Sequence, residues 1–235
     1  MSHVLTTAPD ALAPFGTNAA IEQRFTAMAD PHRPRTPRLL VVAADLSAAQ
    51  IGAYAGEAVD TPHLDRLAKS GARFTQLATS PAPPPMSLLL APLAEGGYDT
   101  GRFADVDRAV SFVGLRRKVP WAAYVELGAA DCDAGVGALM AALRRGDHYR
   151  KTVVLVLGAH TPNAPALLAW PGQIPPRQRF DTPIARADWL PTLLEVCRPG
   201  SSRHLDHEGV DLSGHLLDGD EVPARARRTV GARAA

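Results

Sequence analysis

The side chains of this 235-residue chain that could do chemistry fall into a few groups. Ser80 and Ser87 flank a proline turn, SPAPPP at 80–85, and Thr79 stands just before it. The turn leads into an apolar helical segment, SLLLAPLAEG, so a hydroxyl here lies at a helix start, where backbone N–H groups favour a developing oxyanion. Such a hydroxyl needs a base or a metal to become a nucleophile; without one it reads as a helix cap. The densest group of histidines and acids is His204, His207 and His215 with Asp206 and Asp211. Their spacing matches no metal-ligand motif and reads as a solvated loop. Cys132 and Cys197 belong to no CxxC pair, which suits two small buried hydrophobes in a reducing compartment. Gly135 and Gly137 make a GxG inside a helical segment rather than after a strand, which excludes a dinucleotide fingerprint. Asp131 and Asp133, two residues apart, point to different faces of that helix and read as surface caps.

The elements that must position these groups alternate. RLLVVAAD (38–45) is a continuous apolar run ending in the carboxylate of Asp45, the pattern of a strand buried on both faces. TPHLDRLAKSG (61–71) reads as a helix with Thr61 as cap, Pro62 in the first turn and Gly71 at the stop. Strands are expected at 72–80, 97–103, 121–127, 151–160 and 166–172, and helices at 87–96, 130–144, 187–197 and 211–217. This order predicts an α/β fold, a largely parallel sheet with helices on both faces. The N-terminal residues 1–37 read as an extension with a short helix over 19–28, where Ile21, Phe25 and Met28 share one face. PHRPRTP (31–37) ends any regular structure there. The main domain is expected over 38–218, and a basic tail over 219–235.

Composition limits the partners. A net charge of +1 with 46% hydrophobic and 21% charged residues gives no electrostatic reason to expect nucleic acid or an anionic membrane. No apolar run approaches the roughly 20 residues of a spanning helix. The opening segment, MSHVLTTAPDALAPFG, has no basic region followed by an apolar core, so the expected location is cytoplasmic.

The order of the motifs resembles the sulfatase family of the alkaline-phosphatase superfamily. The carriers are RLLVVAAD with LSAAQIGAYAG (46–56), TPHLDRLAKSGARFTQL (61–77), SPAPPPMSLLLA (80–91) and GYDT (97–100). They continue through the helix at 133–143 before VVLVLGAH, then LLAWPGQIPPRQ (167–178) and ADWLPTLLEV (187–196). The resemblance spans 38 to about 218 and implies a shortened sulfatase-like domain, without the long stretch that family members usually carry between nucleophile helix and last catalytic strand.

The resemblance also implies what has changed. Where the family places two adjacent aspartates on a calcium-like ion, this chain has Ala44 and Asp45; the later metal pair is Ala159 and His160. Asp45 and His160 are thus the residual metal ligands, too few for a hard cation that takes six to eight oxygens. The family's nucleophile, a cysteine or serine converted to formylglycine, aligns with Pro83, and the following Ser-Arg pair with Met86 and Ser87. The Gly-Lys after GYDT becomes Ala104–Asp105. These changes imply a catalytically degraded pseudoenzyme acting by binding or association, with no cofactor. As partner they leave a second copy or a related sulfatase subunit. The alternative is an ester hydrolase rebuilt around Asp45, His160 and a serine, Ser80 or Ser87, which would require a divalent cation.

Overall fold

The computed structural model describes residues 36–56, 58–78, 85–158, 164–202 and 207–223. The elements run β1 (Arg38–Ala44), α1 (Gly52–Ala55), α2 (Pro62–Ser70), β2 (Ala72–Phe74), β3 (Leu77–Ala78), α3 (Leu90–Glu95) and β4 (Asp99–Phe103). They continue with α4 (Val106–Gly114), β5 (Trp121–Leu127), α5 (Cys132–Arg145), β6 (Thr152–Gly158) and β7 (Ala166–Ala169). The chain then forms β8 (Gln178–Phe180), β9 (Ile184–Ala185), α6 (Trp189–Cys197) and α7 (Ser213–Asp218).

Seven strands make one sheet in the order β4-β5-β1-β6-β7-β2-β8, and β3 pairs with β9 in a separate ribbon. All pairings are parallel except those of β7 with β6 and β2. The strands Arg38–Ala44 and Thr152–Gly158 are central neighbours, with Ala44 opposite Gly158. Residues of the central strands alternate between two apolar layers, which is why their sequences read as continuous hydrophobic runs. Leu39, Val41, Leu155 and Leu157 pack with Trp189, Leu193 and Leu216 on one face. Leu40, Val42, Val154 and Val156 pack with Leu64, Leu67, Leu139 and Leu143 on the other. Helices thus cover both faces, as the α/β reading predicts. The first layer is pinned by aromatics: Phe74 stacks on Phe180 at 4.8 Å and meets Trp189 edge-on at 4.9 Å. Each such pair contributes about 0.5–1.5 kcal/mol beyond its buried area.

Two expectations need correction. The single strand over 72–80 is two short strands in different sheets, because Thr75 leaves the ladder and its hydroxyl donates to Asp181 at 2.6 Å. Asp133 is not a surface cap of its own helix. Its carboxylate accepts from the amides of His63 (3.0 Å) and Leu64 (2.9 Å), closing the N-terminus of α2 from the neighbouring α5. Thr61 precedes that helix and Pro62 occupies its first turn, as expected. The GxG has a packing role: a Cβ on Gly137 would stand 2.6 Å from the His63 ring, and one on Gly135 2.8 Å from Leu127. α4 went unread in the sequence, although Asp105 caps it by accepting from the Arg108 amide at 3.0 Å. The helix expected over 19–28 and the proline-turn residues 79–84 lie outside the described residues.

Candidate functional site

The ends of β1 and β6 lie side by side, and ligand crevices of open α/β sheets form at such carboxyl edges. Ala44, the last residue of β1, is 1% exposed and packs with Leu46, Ile51, Val125 and Leu127. Asp45 follows it, exposed, and makes no hydrogen bond or ion pair among the described residues. His160 lies outside them. Among the described residues no group of three or more His, Cys, Asp or Glu side chains is arranged to hold a metal ion.

Beside this edge runs a row of polar groups from three elements. Arg102 of β4 pairs with Glu126 of β5 at 3.0 Å and lies 5.9 Å from the Tyr124 ring centre. The Tyr124 hydroxyl is pushed up, chiefly by burial and then by Glu126, against the pull of Arg186 and Arg102. Arg186 stands on the short turn Arg186–Asp188 between β9 and α6, in a stretch, 184–194, that is buried at every residue. It is 6% exposed, and its Nη1 donates to the Gly158 carbonyl at the end of β6. Burial lowers its guanidinium pKa, opposed by Tyr124. Asp188, two residues on, spends its carboxylate on the amides of Ala185 and Val210, each at 2.8 Å. Arg186 was not singled out from sequence. Its signal was a lone basic residue inside an apolar run just before ADWLPTLL.

This architecture has known counterparts. The chain superposes on yidJ of Bacteroides fragilis, designated a sulfatase, with TM-score 0.68 and 17% identity over 82% of this chain and 80% of that one. It superposes on the PsFucS1 sulfatase of Pseudoalteromonas sp. with TM-score 0.67 and 13% identity, over 85% of this chain and 75% of that one. The chain has the sulfatase fold. In sequence, 50 residues are 48% identical to mouse steryl-sulfatase, which supports a sulfatase-family relationship. The match spans 20% of this chain and 8% of that protein. No family model matches the chain.

The altered positions of the sulfatase pattern can now be placed. Pro83 and Ser80 lie outside the described residues. Pro85 is the cap of the short turn Met86–Leu89 that leads into α3, and Met86 is buried in the first apolar layer. Ser87 sits inside that turn, half-buried, and its hydroxyl makes no hydrogen bond among the described residues, so the capping role expected of it is not what it does. Asp105, which the resemblance aligns with the family's lysine, caps α4.

The other candidates are structural. His207 bonds through its two ring nitrogens to the carbonyls of Gly209 (3.0 Å) and Ser202 (3.1 Å). His215 bonds to the Asp220 carbonyl at 2.6 Å, and Asp211 accepts from the Ser213 amide at 2.8 Å. His204 and Asp206 lie outside the described residues. Cys132 and Cys197 are free and buried in opposite layers, their thiols pushed up to about 12 by burial.

Proposed function

We propose that this sulfatase-fold chain is a pseudoenzyme that works by binding rather than by ester hydrolysis. The observation that carries the reading is Ala44. The position where the sulfatase pattern has a metal carboxylate is a methyl group sealed in the apolar layer at the end of β1. The remaining carboxylate, Asp45, is one ligand where a hard cation wants six to eight oxygens. A proline at the nucleophile position and an aspartate committed to a helix cap at the lysine position agree with it. The buried free thiols fit a cytoplasmic setting. No helix among the described residues is long and apolar enough to cross a membrane. Among these residues the exposed large apolar side chains are Leu88, Leu115 and Val119, which favours a bound ligand over association through an apolar face, whether with a second copy or a related sulfatase subunit.

The competing reading, a hydrolase rebuilt around Asp45, His160 and a divalent cation, draws on Ser87, whose hydroxyl makes no hydrogen bond among the described residues. Assays on aryl sulfate and aryl phosphate esters with calcium, magnesium or manganese separate the two. The pseudoenzyme reading expects no turnover above background, since nucleophile and metal losses do not rescue one another. Turnover that disappears in Asp45→Ala or His160→Ala protein overturns it.

A further inference from the structure

A net charge of +1 averages over two ends of the sheet that carry opposite signs. β4, β5, β1 and β6 are neighbours and run parallel, so the connections that lead into them share one edge and those that leave them share the other. At the leaving, carboxyl edge stand Asp45, ADVD (104–107) and GAADCD (128–133), acidic and without lysine or arginine. At the entering, amino edge β5 is preceded by LRRKV (115–119) and β6 by RRGDHYRK (144–151). In these two segments seven lysines and arginines stand against one acid, Asp147. Overall composition gives no hint of this, because the acids and bases cancel only in the sum.

The two basic segments form one surface. The His148 ring of the second bonds to the Leu115 carbonyl of the first at 3.1 Å. Arg116 and Arg38, the first residue of β1, both bear on that ring, and Arg38 lies in the field of Arg117. Arg117 is paired with Asp99 at 2.9 Å. Among the described residues no other cation of the two segments forms an ion pair. Exposed large apolar side chains are rare in this molecule, and two of the three described stand in this surface. Leu115 is 58% exposed and Val119 47%, and they bracket Arg116, Arg117 and Lys118. The aromatic rings nearby are covered instead: Arg117 lies over Phe112 at 4.1 Å and Arg144 over Tyr149 at 4.9 Å.

We propose that this amino edge docks on an anionic phospholipid surface, its unpaired cations over the headgroups and Leu115 and Val119 in the interface. Charge complementarity and the mixture of groups carry the choice of occupant. Cations are drawn by the negative potential of such a surface, and aliphatic side chains among them gain by entering the boundary between headgroup and acyl chain. A single-stranded nucleic acid would use aromatic faces for its bases to stack on, and here those faces are taken by guanidinium groups. The inference goes beyond the pseudoenzyme reading and does not rest on it, since Ala44 and Asp45 stand at the opposite end of the sheet.

The test is co-sedimentation of the full chain with two kinds of vesicle, phosphatidylcholine alone and two parts phosphatidylcholine to one part phosphatidylserine. The chain pellets with the second and stays in solution with the first, and added salt releases it. A cation near such a surface contributes about fivefold in affinity, so Arg116→Gln combined with Lys118→Gln weakens binding roughly 25-fold. Leu115→Ser combined with Val119→Ser weakens it about tenfold at unchanged charge. All four side chains are exposed, so both double variants melt with the wild type. A chain that ignores the phosphatidylserine vesicles overturns the proposal. So does binding that both double variants keep in full, which would place the contact elsewhere on the chain. Binding to single-stranded RNA in place of vesicles, lost with Arg116→Gln and Lys118→Gln, makes the edge a nucleic-acid surface and overturns it too. A second readout leaves the charges intact. Cys132 and Cys197 are buried, so Leu115→Cys takes a bimane label selectively. Its emission shifts to the blue on phosphatidylserine vesicles; an unshifted spectrum with bound protein removes Leu115 from the interface and overturns the docking mode.

Discussion

The corner where α1, α2 and α5 meet and the carboxyl edge of β1 and β6 both gather polar side chains, but to opposite ends. In the corner the carboxylates of Asp65 and Asp133 have backbone tasks. Asp65 accepts from the Ala53 amide at 2.7 Å and from the Thr61 hydroxyl at 3.1 Å, while Asp133 takes the first amides of α2. Thr61 in turn accepts from the Gly52 amide at 2.8 Å. At the edge, Asp45 has no such partner among the described residues, and Arg186 gives one of its five donors to the Gly158 carbonyl. The corner contains TPHLDRLA, one of the segments by which the chain resembles sulfatases. Its polar residues are caps and turn closures, so what that motif certifies is a way of joining a helix to a sheet. Recognition of the fold and recognition of the chemistry rest on different residues.

That contrast can be broken most forcefully at Asp133. Replacing it with alanine strips two amides of α2 of their acceptor, and lost caps cost about 1–2 kcal/mol. In a domain of this size that lowers the melting temperature by roughly 2–8 °C. Asp45→Ala, removing an exposed carboxylate without partners among the described residues, leaves it unchanged within error. Equal losses at the two aspartates, measured by differential scanning calorimetry, would show that the edge is as structurally committed as the corner.

A finer comparison sets the amino edge of the sheet against the carboxyl edge. His148, just before β6, is buried and its Nε2–H donates to the Leu115 carbonyl at 3.1 Å. Burial holds its imidazole below the ordinary value of about 6.5, helped by Arg38 and Arg116 and opposed by the Leu115 carbonyl and Asp147. The unfolded chain therefore takes up the proton first as pH falls. Stability from this group is complete above about pH 6.5 and declines as pH drops toward the lowered folded value. Urea melts at a series of pH values should show this decline, reduced in His148→Asn. Asp211, whose carboxyl is raised by burial, contributes the opposite slope at lower pH and separates from it. An unchanged profile in His148→Asn would remove the buried histidine from the account.

Much of this was legible in the sequence, and the failures have physical causes. The strands Arg38–Ala44, Trp121–Leu127 and Thr152–Gly158 announced themselves because both faces are buried, so most of their residues are apolar. The helix at 61–71 carried its own Thr-Pro start and glycine stop. The break at Thr75 left no composition signal, since the strand ends where a side chain pairs with Asp181, 106 residues later in the chain. The role of Asp133 was hidden for the same reason: its partners, His63 and Leu64, lie 70 and 69 residues away. Arg186 was hidden by context, a basic residue at the border of a family motif whose burial only the fold creates.

The proposed reading is that the sulfatase frame persists here without a working metal site at the end of β1. Thermal unfolding of the full chain with and without millimolar calcium, against EDTA, tests it most directly. A ligand at a hundred times its dissociation constant adds about 2.7 kcal/mol of stability, roughly 5–10 °C in a domain of this size, so a working calcium site could not be silent. The account predicts identical melting temperatures in calcium and in EDTA, for the unaltered chain and for Asp45→Ala alike; a calcium-dependent rise that vanishes in Asp45→Ala would contradict it.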